Sequence, residues 1–244
     1  PYYMKEIIET AAHEARASEF VEQKSGVSAR MTISAMENLV SNAERRSILN
    51  GEKIIFPRIT DLNAVLPGMT GKIELVFEGE QEGPVKVSKA LIGRSVREVF
   101  RKYFPDPLVK KQKRHLPAGT GSEQNQPASE PYTEIVKWFE GGNYIELTDE
   151  MTFKEYFVTL KKVGGLEKAV KNYIKTVENE YELASMMEFM LDGLHNNSKI
   201  AKDELDDGSS VSYKDMVGAM LFNSKATQKG SRSSYDYENE EWNT

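Results

Sequence analysis

The chain has no cysteine. Disulfide staples, thiolate nucleophiles and cysteine-based zinc sites are therefore excluded. Histidine occurs only at positions 13, 115 and 195. Their spacing, to one another and to carboxylates, matches no metal-ligand pattern, so no metal site is expected. No stretch approaches the roughly 20 apolar residues that a membrane span requires. No basic segment followed by an apolar run marks a signal peptide at the N-terminus. Positive charge is also scarce: 32 Lys and Arg face 38 Asp and Glu, a net charge of -6. No global field draws such a chain to nucleic acid or an anionic membrane. These absences predict a cytoplasmic protein without membrane contact.

What is present is helical patterning. Met4, Ile7, Ile8, Ala11, Ala12 and Ala15 recur at three and four, with charged residues between them, which predicts an amphipathic helix. A connector over residues 20–29 contains Gly26. Ile33, Met36, Val40 and Ala43 predict a second helix, capped by Thr32 or Ser28 and ended by Asn50-Gly51. Thr60-Asp61 opens a short helix over Leu62, Val65 and Leu66, interrupted at Pro67-Gly68. Residues 71–80 read as helix in preference to strand. Residues 85–104 form a long helix stopped by Pro105 and Pro107.

Residues 116–131 are rich in Gly, Ser, Gln, Asn and Pro, and with almost nothing to bury they read as a flexible linker. Helical patterns resume at 132–139, 152–162, 166–177, 180–194 and 213–222. The expected fold class is mainly α: a helical domain over 1–115, the linker, a second helical block over 132–223, and a disordered acidic tail over 224–244. Helical periodicity starts within four residues of Pro1, which predicts a fragment of a longer polypeptide.

Self-contained catalysis finds no support. Gly68-Met69-Thr70-Gly71-Lys72 comes nearest to a phosphate-cradling loop. Leu66 stands where the loop needs its first glycine and Ile73 where it needs Ser or Thr, so the stretch reads as a turn. No Gly-x-Ser-x-Gly elbow occurs. Asp206-Asp207 sits beside Gly208 and reads as a solvated turn. Between Arg94 and Arg114, eight basic residues face Glu98 and Asp106. Phe100, Tyr103 and Phe104 lie among them at helical spacing. A solvated or partner-facing charged face is the main reading there, and nucleic acid the lesser.

One motif points to a ligand. Gly26-Val27-Ser28-Ala29-Arg30 precedes the second helix. An arginine at the positive end of a helix is electrostatically poor unless an anion arrives, and guanidinium matches phosphate through its planar fork. The competing reading is a surface salt bridge.

The run from Ser18 to Met31 resembles the lid of magnesium-chelatase ATPase subunits and their MoxR-type relatives, a clade of AAA+ ATPases. Flanking pieces carry the same resemblance: Glu37-Asn38-Leu39-Val40-Ser41-Asn42-Ala43-Glu44-Arg45-Arg46, Ile59-Thr60-Asp61-Leu62, and Gly71-Lys72-Ile73-Glu74-Leu75. It covers about residues 1–105. It implies a helical lid and C-terminal extension of a motor that couples ATP hydrolysis, with ATP and Mg2+ bound mainly by a separate core, to remodelling of a client protein. The implied partners are that core and neighbouring subunits of a homo-oligomeric ring. Arg30 would be the second sensor arginine that contacts the phosphates, and Ser28 a supporting position. The Walker A and Walker B motifs are not in this sequence, so the fragment alone should be inactive. The alternative is a helical protein-interaction module with no nucleotide role, for which the Met186–Met190 face is the candidate surface, although core packing is the main reading of those methionines.

Overall fold

The computed structural model describes residues 1–24, 26–108, 131–205 and 209–216. The fold is mainly α. Its helices are α1 (Tyr2–Ala17), α2 (Met31–Leu49), α3 (Leu66–Thr70), α4 (Phe77–Glu82), α5 (Pro84–Tyr103), α6 (Thr133–Glu140), α7 (Phe153–Lys161), α8 (Leu166–Tyr173) and α9 (Glu180–Asn196). A 3-10 turn (Ile59–Val65) runs into α3.

The stripes of α1 and α5 do what their spacing predicts; in α2 the expected Ile33 and Val40 are exposed, and Met31, Ala35 and Leu39 are buried with the expected Ala43. α1 buries Tyr3, Met4, Ile7, Ile8, Ala11, Ala12 and Ala15. α5 buries Val87, Leu91, Val96, Val99 and Phe100. At α7 the Thr152 side chain accepts from the Glu155 N–H while Glu155 accepts from the Thr152 N–H, so both orphan donors are satisfied. Pro67 falls in the first turn of α3, where its missing N–H costs nothing; it starts that helix rather than breaking one.

α9 differs from the rest. Every residue from Leu183 to Leu194 is buried, the signature of a central helix rather than a half-exposed one. It packs on α5, α7, α8 and the 3-10 turn. Tyr3 of α1 stacks on Phe189 of α9 with centroids 4.3 Å apart. Residues before and after the 109–130 segment thus share one hydrophobic core.

The expectation of an all-helical second block needs correction. That block contains three strands, β1 (Ile145–Thr148), β2 (Ala201–Leu205) and β3 (Ser210–Lys214), forming an antiparallel sheet in the order β1-β3-β2. Tyr213, expected to begin a helix, lies in β3 opposite Ile145 and Lys202. Period-two patterning explains this: Val211 and Tyr213 are both buried, with half-exposed Ser212 between them. At the Met186–Met190 face the main reading, core packing, holds and the partner surface does not: Met186, Met187 and Met190 are core residues. Residues 116–130 of the expected linker, residues 217–222 of the expected last helix and the 224–244 tail lie outside the described residues.

α9 approaches α5 closely enough to require glycine. A Cβ at Gly193 would collide with the Phe100 ring, itself fully buried. Gly193→Ala gains helix propensity of about 1 kcal/mol. Overpacking costs about 1–3 kcal/mol, and an immobile ring puts the cost at the upper end. A net loss of about 2 kcal/mol is expected, read as a lowered urea midpoint at unchanged slope.

Candidate functional site

The head of α2 is built by the connector before it. That connector is stitched to residues 72–76 by backbone bonds: Glu22 N–H to Glu74 O (2.9 Å), Glu74 N–H to Gly26 O (2.9 Å), Ser28 N–H to Lys72 O (3.0 Å) and Val76 N–H to Phe20 O (3.1 Å). Val21 and Val27 pair antiparallel with Leu75 and Ile73. Residues 71–76, read as helix from sequence, are therefore a turn at 71–72 and an extended partner for this loop over 73–76, and the helix begins only at Phe77. Gly26 sits at φ +30°, and a Cβ there would lie 2.5 Å from Glu22 O. Only glycine permits that turn.

The turn delivers Arg30 as the N-cap of α2 with φ −82° and ψ −6°. Neither proposed capping side chain closes the helix: α2 has no side-chain cap and no acidic residue in its first turn. The Ser28 hydroxyl instead accepts from the Arg30 N–H at 3.3 Å. Ser28 and Arg30 are both exposed. The Arg30 guanidinium has no ion-pair or hydrogen-bond partner among the described residues. A free guanidinium thus stands beside the uncompensated positive end of a 19-residue helix. The salt-bridge reading of Arg30 finds no partner here. Lys72, which the sequence placed in a mere turn, is brought by its backbone alongside Ser28.

A second polar centre was not anticipated. At the far end of α2, Arg46 donates to Asp61 (2.9 Å to Oδ2), Asp149 (2.8 Å) and Phe56 O (2.7 Å). Asn42 donates to Asp61 at 2.8 Å, and Arg45 pairs with Asp149. Burial pulls the Arg46 pKa down, but its bonds to Asp61 and Asp149 outweigh that and hold it above the ordinary value. Deeper in, Glu188 accepts from the Ile59 N–H (2.7 Å), the Thr60 N–H (3.2 Å) and the Tyr156 hydroxyl (2.7 Å). Burial raises its pKa. The Arg58 guanidinium lies 4.3 Å over the Tyr156 ring and donates to Met151 O at 2.7 Å. Burial, then the neighbouring Arg46, lower the Arg58 pKa. Arg46, Arg58, Asp61, Tyr156 and Glu188 are buried, while Arg45 lies at the surface. They clamp α2, the 3-10 turn, α7 and α9 together.

A cleft of about 560 Å³ opens between α5, α9 and β2. Its charges are satisfied within the protein: Lys202 pairs with Asp192 at 2.7 Å, and Lys89 with Glu204. His195 is held near Ile200 O, and burial lowers its pKa.

The remaining sequence candidates are accounted for. Among the described residues no three His, Asp or Glu side chains are grouped to hold a metal. His13 is exposed; His115 and Asp206-Asp207 lie outside the described residues. Gly68 to Lys72 is the end of α3 and its turn. In the basic stretch, Arg101 pairs with Glu98 and Asp106, and Lys102 with Glu6, while Phe100 and Phe104 are core. Among the described residues no helix is long and apolar enough to cross a membrane. Comparison with protein-family models, curated proteins and solved structures found no match.

Proposed function

We propose that the chain is the helical lid and C-terminal extension of an ATP-binding AAA+ ATPase of the magnesium-chelatase and MoxR type. That motor would work as a cytoplasmic ring that remodels a client protein. The observation supporting this reading is the Arg30 guanidinium: exposed, unpartnered among the described residues, and set at the open positive end of α2. In the complete motor, the nucleotide-binding core would hold ATP and Mg2+. Arg30 would donate its planar fork to the phosphate oxygens, and the head of α2 would favour the same negative charge. Ser28 would fix the Arg30 backbone through the hydrogen bond it accepts. Loss of the phosphate contact after hydrolysis would free the helical block to move, passing that motion to a neighbour or client.

The test is Arg30→Ala in the complete ATPase. A hydrogen bond to a charged group is worth about 1.5–3 kcal/mol. Hydrolysis or nucleotide affinity should therefore fall roughly tenfold to hundredfold. The melting temperature of the isolated chain should not move, because Arg30 is exposed. Unchanged turnover and affinity would remove Arg30 from the nucleotide site. The alternative, an interaction module with no nucleotide role, has lost its methionine face to the core, but a different surface speaks for partner binding.

A further inference from the structure

The outward face of α2 is patterned. Ile33, Glu37, Val40, Glu44 and Ile48 follow one another at steps of four, three, four and four residues, which puts them on one side of the helix. Ile33 is 58% exposed, Val40 37% and Ile48 78%. Alongside runs α1, and between the two helices lies an open groove of about 660 Å³ with Ile8 and Met36 in its lining. Glu9 of α1 and Glu37 and Glu44 of α2 edge the groove, against one cation, Lys5. None of these three carboxylates has an ion-pair or hydrogen-bond partner among the described residues.

We infer that this groove docks a basic amphipathic helix of a partner protein, and this goes beyond the nucleotide reading without depending on it. Apolar side chains of the incoming helix, spaced at three and four, would cover Ile33, Val40 and Met36. Lysine or arginine on its flanks would pair with Glu9, Glu37 and Glu44. Complementary charge of this kind sets partner choice and speeds encounter. From Ile33 to Ile48 the stripe is about 22 Å long at 1.5 Å per residue, so about 15 residues of helix would cover it. The same acidic rim disfavours the other occupants. Anionic lipid and nucleic acid are repelled. A second copy of this face would set carboxylates against carboxylates.

The probe is a fluorescent 15-residue helical peptide with leucines at positions i, i+3, i+4 and i+7 and lysine flanks. Its control replaces every lysine with glutamate. With the full 244-residue chain, the lysine peptide is expected to bind at least about tenfold more tightly than the glutamate peptide at low salt, with the gap narrowing as salt rises. Ile33→Asp combined with Val40→Asp should weaken the lysine peptide at least about tenfold. Glu37→Lys combined with Glu44→Lys should shift the preference towards the glutamate peptide. All four positions are exposed, so melting curves should be unchanged and lost binding is not lost folding. Three results would overturn the inference: equal binding of the two peptides, no binding of the lysine peptide at about 100 µM, or a dimer of the chain that Ile33→Asp converts to monomer in sedimentation.

Discussion

Asp61→Ala is expected to destabilise the fold by about 3–5 kcal/mol, the cost of stripping one partner from a buried ion pair. Asp61 is fully buried and Arg46 nearly so. Asp61 does more than neutralise Arg46. It also accepts from the Asn42 amide at 2.8 Å and from the Arg58 N–H at 2.6 Å. Alanine leaves the buried Arg46 with Asp149 as its remaining carboxylate and the Arg58 N–H without its acceptor, while the Asn42 amide keeps only longer contacts to Asp149, at 3.3 and 3.4 Å. Asp149 is partly exposed and on a loop, so it cannot replace what Asp61 gives. For a chain of this size each kcal/mol is worth about 2–4 °C. The melting temperature should therefore fall by roughly 10 °C. Arg46→Met paired with Asp61→Leu should recover much of the loss, because exchanging a buried pair for apolar residues is often neutral. A single-mutant loss under about 1 kcal/mol would mean that the clamp carries little of the stability.

That clamp also shows where sequence patterns stop being informative. α1 and α5 are legible because one stripe of each faces the core, and α7 because Thr152 and Glu155 form a capping box. The sheet is not legible. β1 is only four residues, Ile-Glu-Leu-Thr, and β2 reads Ala-Lys-Asp-Glu-Leu, with too few apolar positions to display a period. The methionines of α9 read as one apolar core-facing stripe, yet every residue from Leu183 to Leu194 is buried, because helices, the 3-10 turn and a strand surround it. Arg30 could be picked out because the local chain sets its chemistry: a glycine turn, a helix head and a guanidinium within five residues. The Arg46–Asp149 contact joins positions 103 residues apart, and no local pattern encodes it. The groove beside α2 was hidden for a related reason. Ile33, Met36 and Val40 read as one buried stripe, yet packing buries Met31, Ala35 and Leu39 instead and leaves Ile33 and Val40 outside.

Glu188 extends the same logic to pH. Glu188→Ala would orphan the Ile59 N–H and the Thr60 N–H and leave the buried Tyr156 hydroxyl only a long contact to Ala184 O at 3.4 Å. Each orphan costs about 1–3 kcal/mol, offset in part by no longer burying a charge. The expected net loss is about 3–5 kcal/mol. The pH dependence follows from the direction of the shift. Burial raises the native pKa of Glu188 above its ordinary value of 4.5, so between the two values the folded state holds a proton that the unfolded chain has released. Stability from this group is complete below the ordinary value and declines as pH rises to the native one, by at most about 1.4 kcal/mol per pH unit. His195 runs the other way: burial lowers its pKa from 6.5, so stability from it rises with pH in the window below 6.5. Comparing wild type with Glu188→Gln cancels the His195 contribution. The stability difference between them, followed by urea denaturation from pH 4 upwards, should favour wild type most at acid pH and shrink as pH rises. A difference that stays flat, or widens with pH, would show that the carboxyl is ionised throughout and held by its three donors, not by a proton.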